Sequence, residues 1–297
     1  MHRHITRALL TVVTAGATLS TLGFAAPIAM GAATHAAPSI PTLSAVRAAH
    51  HPGYDRLVFE FRGRVPAHHG AGYVKQVVGP SGRAVPIVGS AILAVHFRPA
   101  TSMGGTGMLH RTYALPNIIQ VVTAEDFESY MTFGVGLARH EPYHMFTLTN
   151  PSRIVVDVRT PFKTVRVHDY FLDSNNFKTG HGPFIKAVSR PVIPPTVAFG
   201  ALQRLFAGPT RPELASSLRF VASKATGFKN LRISDGVARV QLTGRCSTGG
   251  STFSVANEIR PTLKQFPSVH WVKIYSPSGH TEQPWGHTDS IPACLEP

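Results

Sequence analysis

The sequence predicts two domains, an all-β sandwich followed by an α+β domain. The chain has 297 residues, which is more than a single hydrophobic core usually holds. Short runs in which apolar and polar residues alternate fill residues 45–162, and such alternation is typical of strands with one buried face. Runs with helical spacing occur in residues 163–297, between further strand-like runs. The many Gly and Pro residues, 26 and 24, indicate frequent turns and argue against a helical bundle.

Eight short runs of the first half are predicted to form strands. In one of them Phe127, Met131 and Phe133 share one parity, with polar residues on the other. Turns that contain Gly or Pro, such as 79–82 and 150–151, separate the runs, as in a β-sandwich. The predicted strands lie within 57–61, 73–78, 85–88, 91–97, 118–123, 127–137, 145–148 and 154–158.

The second half is predicted to contain three helices that cover one mixed sheet. Thr196 follows two prolines and is predicted to cap a first helix, which ends at Gly208. Thr210 and Glu213 predict a second, short helix, because they form a capping box in which each side chain satisfies a backbone amide of the other. A third helix, kinked by Pro261, is predicted over 251–266, and strands are predicted over 165–172, 231–233, 237–242 and 270–275.

The amino-terminal segment, 1–36, has the plan of a signal peptide. Two arginines precede an uncharged stretch that ends in small residues, which is the order of a basic, an apolar and a cleavage region. We expect cleavage within this segment and a linker at 37–44. The alternative is an uncleaved membrane anchor, because 26 uncharged residues are long enough to span a bilayer.

The chain is strongly basic. Lys and Arg number 29 against 15 Asp and Glu, a formal net charge of +14. Without residues 1–36 the balance is 27 against 15, which leaves +12 on the remaining chain. Such an excess suits polyanions: nucleic acid, anionic lipid or the phosphate-bearing polymers of a cell envelope. We expect an envelope partner and no nucleic acid, and a membrane contact only if the amino-terminal segment stays uncleaved.

Cys246 and Cys294 are the two cysteines of the chain. An even number of cysteines in an exported protein indicates a disulfide. The alternative, two free thiols, is unfavourable in an oxidising compartment. We therefore predict a Cys246–Cys294 bond that ties the carboxy-terminal tail to the second domain. Closing a loop of this length stabilises a chain by about 4 kcal/mol in the entropic account.

One motif suggests a metal site and is rejected. The run His140-Glu141-Pro142-Tyr143-His144 fits the H-E-x-x-H pattern of zinc proteases, in which a helix brings both imidazoles to one face. Pro142 would stand inside that helix at a cost of about 3 kcal/mol, and the flanking residues alternate as strands do. We predict a hairpin link here and expect no metal ligand.

No motif predicts a catalytic residue or a cofactor. The sequence contains no phosphate-binding loop, no dinucleotide fingerprint and no G-x-S-x-G elbow. Its carboxylates are scattered over different predicted elements, whereas a glycosidase needs two that face each other across a cleft. Asp55 and Asp157 are interpreted as ion-pair partners of the nearby Arg56, Arg153 or Arg159.

Four stretches of the first half occur in a characteristic order. They are 51–61 (HPGYDRLVFEF), the Gly-rich stretch 72–82, 91–95 (AILAV) and 150–157 (NPSRIVVD). In this order they resemble the AMIN-like domain of secreted bacterial proteins. The related AMIN domains are β-sandwiches that target envelope proteins to the cell wall, so the resemblance implies that fold and that location. It carries over no ligand contact.

The second half has a resemblance of its own. Its strongest stretches are 201–210 (ALQRLFAGPT) with Glu213, 233–240 (ISDGVARV), 251–269 and 271–275 (WVKIY). Together they resemble the GerMN family of secreted bacterial proteins, which is regarded mostly as a binding or scaffolding module without an agreed reaction. That family usually has an acidic residue where Arg239 or Gln241 stands, so no role of that acid is carried over.

These observations favour an exported, non-enzymatic protein that is secreted or associated with the cell envelope. It would bind a wall polymer, either peptidoglycan or an anionic glycopolymer, or an envelope protein. Two alternatives stay open: a wall hydrolase or metallohydrolase with a non-motif active site, and an exported signalling partner of a receptor ectodomain. Polymer binding is expected to be electrostatic; the alternative is an aromatic, sugar-binding face built from Tyr73, Tyr113, Tyr130 and Tyr143.

Overall fold

The computed structural model describes residues 39–297, and the predicted signal peptide, 1–36, lies outside them. Both predicted fold classes are confirmed: a β-sandwich is followed by an α+β domain. Within the described part of the chain, no helix is long and apolar enough to cross a membrane.

The first domain is a sandwich of two antiparallel sheets. Its strands are β1 (Thr42–His51), β2 (Tyr54–Arg62), β3 (His68–Val74), β4 (Ala91–Arg98), β5 (His110–Thr112), β6 (Ile118–Phe127), β7 (Tyr130–Leu137), β8 (Tyr143–Leu148) and β9 (Ser152–Arg159). The order is β1-β2-β9-β8 in the four-stranded sheet and β3-β4-β7-β6-β5 in the five-stranded sheet.

Large side chains of one parity fill the space between these sheets. Phe59 of β2, Phe97 of β4 and Phe133 of β7 are fully buried. The ring centroid of Phe59 lies 4.9 Å from that of Phe97 and 5.1 Å from that of Phe133. The alternation in the sequence therefore identifies the inner faces of the sandwich, because successive side chains of a strand point to opposite faces.

The start of the first domain differs from the prediction. Strand β1 begins at Thr42, so residues 42–44 of the predicted linker belong to a strand. Only Leu43 and Val46 of this strand are buried apolar residues, which is why its periodicity is weak. Its pairing with β2 along nearly its whole length holds it in the sheet.

Of the predicted strands over 73–78 and 85–88, only residues 73–74 lie in a strand, at the end of β3. Strand β3 ends at Val74, and the chain then folds back on itself through a bond of 2.9 Å from the Val85 amide to the Val77 carbonyl. The run therefore satisfies its backbone locally, in a loop and not in a ladder between long strands.

The second domain contains four helices and two three-stranded sheets. Its elements are β10 (Val165–Asp173), α1 (Ser174–Thr179), β11 (Ile185–Val192), α2 (Val197–Ala207), α3 (Arg211–Ala215), β12 (Leu218–Arg219), β13 (Ala225–Ser234), β14 (Val237–Gly244), α4 (Val255–Lys264) and β15 (Trp271–Tyr275), followed by a 3₁₀ turn (Ala293–Leu295). The sheet orders are β11-β10-β12 and β13-β14-β15. The prediction of one mixed sheet is wrong, because β10 pairs with β11 and β12 and not with the later hairpin.

Helices α2 and α4 share one core with the second sheet. Leu202 and Leu205 of α2 and Ile259 and Leu263 of α4 are fully buried there, together with Val240 of β14. Strands β14 and β15 pair in parallel, which requires the crossover that α4 provides. The helical spacing of the apolar residues therefore predicts the buried faces correctly.

The helix starts agree only in part with the prediction. Thr196 stands at the N-cap of α2, but its side chain makes no capping bond. Helix α4 begins after Ser254, which forms a capping box with Asn257, so its predicted start at 251 is wrong. The predicted box of Thr210 and Glu213 is confirmed, and the Thr210 amide donates to the Glu213 carboxylate at 2.7 Å.

The connection after β10 contains a helix and a strand that the sequence pattern does not predict. Helix α1 is capped by Asp173 and ends at Gly180 in a left-handed conformation, and β11 follows it. This strand contains Pro191, which lacks the amide proton of a ladder bond. Strand β11 lies at the edge of its sheet, the position where strands tolerate proline.

Cys246 and Cys294 form the predicted disulfide, with their Cα atoms 5.6 Å apart. Leu295, next to it, is buried in the core of the second domain. The Thr248 hydroxyl donates to the Glu296 carbonyl oxygen at 3.2 Å. The carboxy-terminal tail is therefore an integral part of the second domain.

The two domains meet through polar side chains of α2. Arg204 is 2% exposed, and its guanidinium donates to the carbonyl oxygens of Pro116 at 3.0 Å and Tyr113 at 3.5 Å in the first domain. The Gln203 amide donates to the Ser90 hydroxyl at 3.0 Å. Buried polar groups are costly unless they are paired, so these contacts specify how the domains pack.

Candidate functional site

The outer face of the sheet β13-β14-β15 carries a row of cations. Arg232 on β13 lies opposite Arg239 on β14, and Arg239 lies opposite Lys273 on β15. Neighbouring strands are about 4.8 Å apart, so the three residues stand side by side across the sheet. We name Arg232, Arg239 and Lys273 the basic row.

The hairpin turn sets the alignment of the two arginines. Asp235 and Gly236 have φ values of 52° and 75°, as in a type I′ turn, which favours Asp followed by Gly. Ser234 pairs with Val237 across this turn.

The basic row points away from the core of the second domain. Both sequence neighbours of Arg239 are buried in the core, as are both neighbours of Lys273. Side chains alternate along a strand, so the row points away from the core.

Lys273 anchors the loop that follows β15. The lysine is fully buried, and its Nζ donates to the carbonyl oxygens of Gln283 at 2.5 Å and Trp285 at 3.0 Å. Burial and the positive charge of Arg239 lower the pKa of Lys273, against the opposing influence of Asp289. The loop therefore lies over the Lys273 end of the row, and the two arginines remain for a ligand.

No acidic side chain of the described residues forms an ion pair with the basic row. Within residues 39–297, no carboxylate oxygen lies within 4.0 Å of a side-chain nitrogen of Arg232, Arg239 or Lys273. Like charges directly opposite each other on neighbouring strands destabilise a sheet. A bound anion would relieve that repulsion, and guanidinium groups match the oxygens of phosphate and carboxylate.

Aromatic side chains flank the row. Trp271 and Tyr275 stand two residues before and after Lys273 in β15, so they point to the same face. The Trp271 ring stacks on His287, with centroids 4.7 Å apart and an interplanar angle of 22°. Trp285 projects from the loop that Lys273 anchors and is 86% exposed. Cations and aromatic rings therefore meet on one surface.

Most of the excess charge lies in the domain that carries the row. Residues 163–297 contain 16 Lys and Arg against 8 Asp and Glu, whereas residues 45–162 contain 11 against 7. Two of the eight acids, Asp169 and Glu258, are fully buried. The solvent-facing surface of the second domain is therefore poor in negative charge.

His140 and His144 do not share a helix face. The predicted hairpin link is wrong, because β7 and β8 belong to different sheets. His140 lies in the connection between the two sheets, and His144 lies within β8. The His140 ring stacks on Tyr73 with centroids 3.7 Å apart, and the His144 ring stacks on Phe146 at 5.2 Å. Across the described ranges, no group of three or more His, Cys, Asp or Glu side chains is placed to hold a metal ion.

The two aspartates of the first domain have different partners. Asp157 accepts two hydrogen bonds of 2.7 Å from Arg56, as the ion-pair interpretation predicts. For Asp55 that interpretation is wrong: it is fully buried and accepts the backbone amides of Asn117 at 2.6 Å and Ile118 at 2.9 Å. These two amides are more than 60 residues away in the chain, so neighbouring residues give no sign of them, and a third partner, His50 Nδ1, lies 2.8 Å from the carboxylate.

The fully buried carboxylates of the second domain serve its structure. Glu258 accepts the backbone amides of Leu172 at 3.1 Å and Val221 at 3.0 Å, and burial raises its pKa to about 8. Asp169 lies 3.8 Å from Nε of Arg190, and burial raises its pKa well above the ordinary value. Both are enclosed by protein, whereas catalytic carboxylates of a glycosidase face each other across an open cleft.

Of the four tyrosines considered for a sugar-binding face, the structure brings two together. The rings of Tyr73 and Tyr143 have centroids 5.9 Å apart, and each hydroxyl donates to a backbone carbonyl. Tyr113 packs against the core of the first domain. Tyr130 stacks with His96 at 6.3 Å. These residues therefore do not form the single aromatic face that was considered.

Two family models match separate parts of the chain. Residues 41–160 match the model of the AMIN-like domain. Residues 170–276 match the model named Germane, described as "Sporulation and spore germination". No curated protein and no solved structure matches the chain. The first range covers the sandwich, and the second range contains the basic row.

Proposed function

Because this chain carries an AMIN-like domain followed by a Germane domain of the GerMN type, we propose that it is an exported, non-enzymatic protein of the cell envelope that binds an anionic wall polymer. The basic row is the observation that carries the proposal. Its two arginines, which form no ion pair within residues 39–297, suit a polyanion better than a neutral glycan.

Two further observations support the proposal. The disulfide between Cys246 and Cys294 suits an oxidising compartment outside the cytoplasm. Asp169 and Glu258, the carboxyl groups whose pKa values are most strongly raised, are buried in the core. Strongly shifted groups in an open cleft would favour an enzyme, whereas these two enclosed groups have structural roles.

Sedimentation of the protein without residues 1–36 with isolated cell walls tests the proposal. We expect it to sediment with intact walls and far less with walls stripped of their anionic polymers. Binding should fade as salt rises, because screening shortens from about 8 Å at physiological ionic strength to about 3 Å at 1 M. The double variant Arg232→Gln/Arg239→Gln should bind at least about tenfold more weakly, since it loses two charged contacts.

The matched control is Arg64→Gln/Arg83→Gln. These two arginines of the first domain are exposed and have no carboxylate within 4.0 Å in the described structure. The control removes the same charge, so an equal loss in both variants would show that net charge and not the row drives binding. Binding to stripped walls that survives molar salt would overturn the electrostatic account. A failure to bind any wall preparation would favour an envelope protein as the partner.

A further inference from the structure

The loop after β15 presents one tryptophan to solvent in a fixed place. On one side of Trp285, the Glu282 amide donates to the Ile291 carbonyl at 3.1 Å, and the Gln283 amide donates to the Ser290 hydroxyl at 2.8 Å. Lys273 Nζ holds the carbonyl oxygen of Trp285 itself at 3.0 Å. The backbone is therefore anchored, although the indole is 86% exposed.

Such exposure is unusual for tryptophan, whose side chain has a large apolar area. Tryptophan is buried on average more than most residues, and an aromatic ring contributes chiefly by covering apolar area. The neighbouring Trp271 follows this rule, because it is half-buried and stacked on His287. Trp285 stacks on no ring among the described residues, so its face is available to a ligand.

Lys273 joins this tryptophan to the basic row. Its amine contacts the backbone of Trp285, and in the sheet it lies directly opposite Arg239. A strand spacing of about 4.8 Å separates the two strands. A ligand that reaches both the indole and the Arg239 guanidinium would therefore cross only one strand.

We infer that the basic row and Trp285 together bind a phosphodiester-linked glycopolymer, with a phosphate at Arg232 and Arg239 and a sugar ring on the indole. The inference rests on the proposed function and specifies its ligand. Guanidinium groups donate in a fixed fork that fits phosphate oxygens, while the C–H face of a sugar ring covers an aromatic face. A polyphosphate would leave the indole bare, and a neutral glycan would leave the cations unpaired.

Tryptophan fluorescence tests this inference directly. The chain has two tryptophans, and Trp271 and Trp285 both belong to this surface, so the emission reports on it alone. Three probes separate the contributions: a poly(glycerol phosphate) that carries glucose substituents, inorganic polyphosphate, and a neutral chitooligosaccharide. The substituted polymer should shift the emission and bind most tightly.

Variants assign each contact. Trp285→Ala should weaken binding of the substituted polymer about tenfold and leave polyphosphate binding unchanged. Arg232→Gln/Arg239→Gln should weaken the binding of both anionic polymers. Phe127→Ala is the control, because Phe127 is a 59% exposed aromatic residue of the first domain and its loss should change neither.

The outcomes distinguish this inference from the proposed function. If the substituted polymer binds no more tightly than polyphosphate, or if Trp285→Ala leaves its binding unchanged, the inference is overturned and the electrostatic function stands. Equally tight binding of the neutral oligosaccharide would also overturn it. If neither anionic polymer binds, both proposals fail.

Discussion

Glu258 shows how a single residue couples the fold to pH. Its carboxyl group is fully buried, and burial raises its pKa from 4.5 to about 8, although two backbone amides act in the opposite direction. The folded protein therefore holds a proton that the unfolded chain releases above pH 4.5. This proton contributes stability that is complete below the unfolded pKa and is lost as the pH rises through the folded one.

We expect the free energy of unfolding to fall as the pH rises between 4.5 and 8. The contribution of Glu258 should approach about 1.4 kcal/mol per pH unit in the middle of this range. Glu258→Gln removes the titrating group, so its unfolding free energy should depend less on pH. Urea titrations of both proteins across this range measure the difference, and equal slopes would show that Glu258 does not titrate there.

At the scale of elements, the short helix α3 is held by more than its cap. Glu213 completes the capping box with Thr210, and its two oxygens also accept from Arg190 of β11 at 2.7 Å and 2.6 Å. Arg190 is 1% exposed. The Glu213 carboxylate therefore caps the amino end of α3 and also pairs with a buried guanidinium of β11.

Two substitutions separate these roles. Thr210→Ala removes only the cap and should lower the free energy of unfolding by about 1 kcal/mol. Glu213→Ala also removes the carboxylate that is hydrogen-bonded to the buried Arg190, which leaves Asp169 at 3.8 Å from its Nε, and should cost about 3 kcal/mol or more. Urea unfolding of the two variants measures both values, and equal losses would mean that the ion pair contributes nothing.

The elements that could be predicted are those in which periodicity and end signals agree. Helix α2 has an apolar face at helical spacing and a glycine after its end, and α3 has its capping box. Where the alternation continues past a turn, the predicted bounds of the strand are wrong. The run 127–137 continues its alternation through Glu128 and Ser129, yet both have positive φ and form the turn between β6 and β7.

The candidate site could be predicted only in part, for a related reason. Arg232 and Arg239 stand symmetrically about the predicted turn, so the hairpin register alone pairs them. Lys273 reaches the row through a parallel pairing after α4, and no sequence signal sets the register of such a pair. Trp285 lies in a loop whose anchor, a buried lysine, shows no local pattern either.

At the scale of the whole molecule, Arg204 connects the two domains. Burial lowers its pKa to about 10, while the charges of Asp169 in its own domain and Asp55 in the other act to raise it. Its guanidinium donates to the Pro116 and Tyr113 carbonyl oxygens. The guanidinium therefore contacts the first domain and lies in the electrostatic field of acids from both.

We expect wild-type protein to unfold in one cooperative transition and Arg204→Met to unfold in two, one for each domain. The variant keeps much of the side-chain volume but leaves the carbonyl groups of the half-buried Tyr113 and Pro116 without this donor, which should cost about 3 kcal/mol. Differential scanning calorimetry distinguishes the two patterns. Arg166→Met, at an exposed position of β10, is the control, and a single unchanged transition in both variants would contradict the role of Arg204.

The disulfide also bears on when the proposed binding surface would be complete. The bond between Cys246 and Cys294 closes the segment that contains α4, β15 and the loop of Trp285. Thiols stay reduced in most cytoplasms, so in an exported protein this closure follows export. The abundant polyanions of the cytoplasm are nucleic acids, which share the charge of the proposed ligand. Under the proposed function, a surface that closes only after export would meet wall polymers without having met nucleic acids, so the order of events would add selectivity that charge alone lacks.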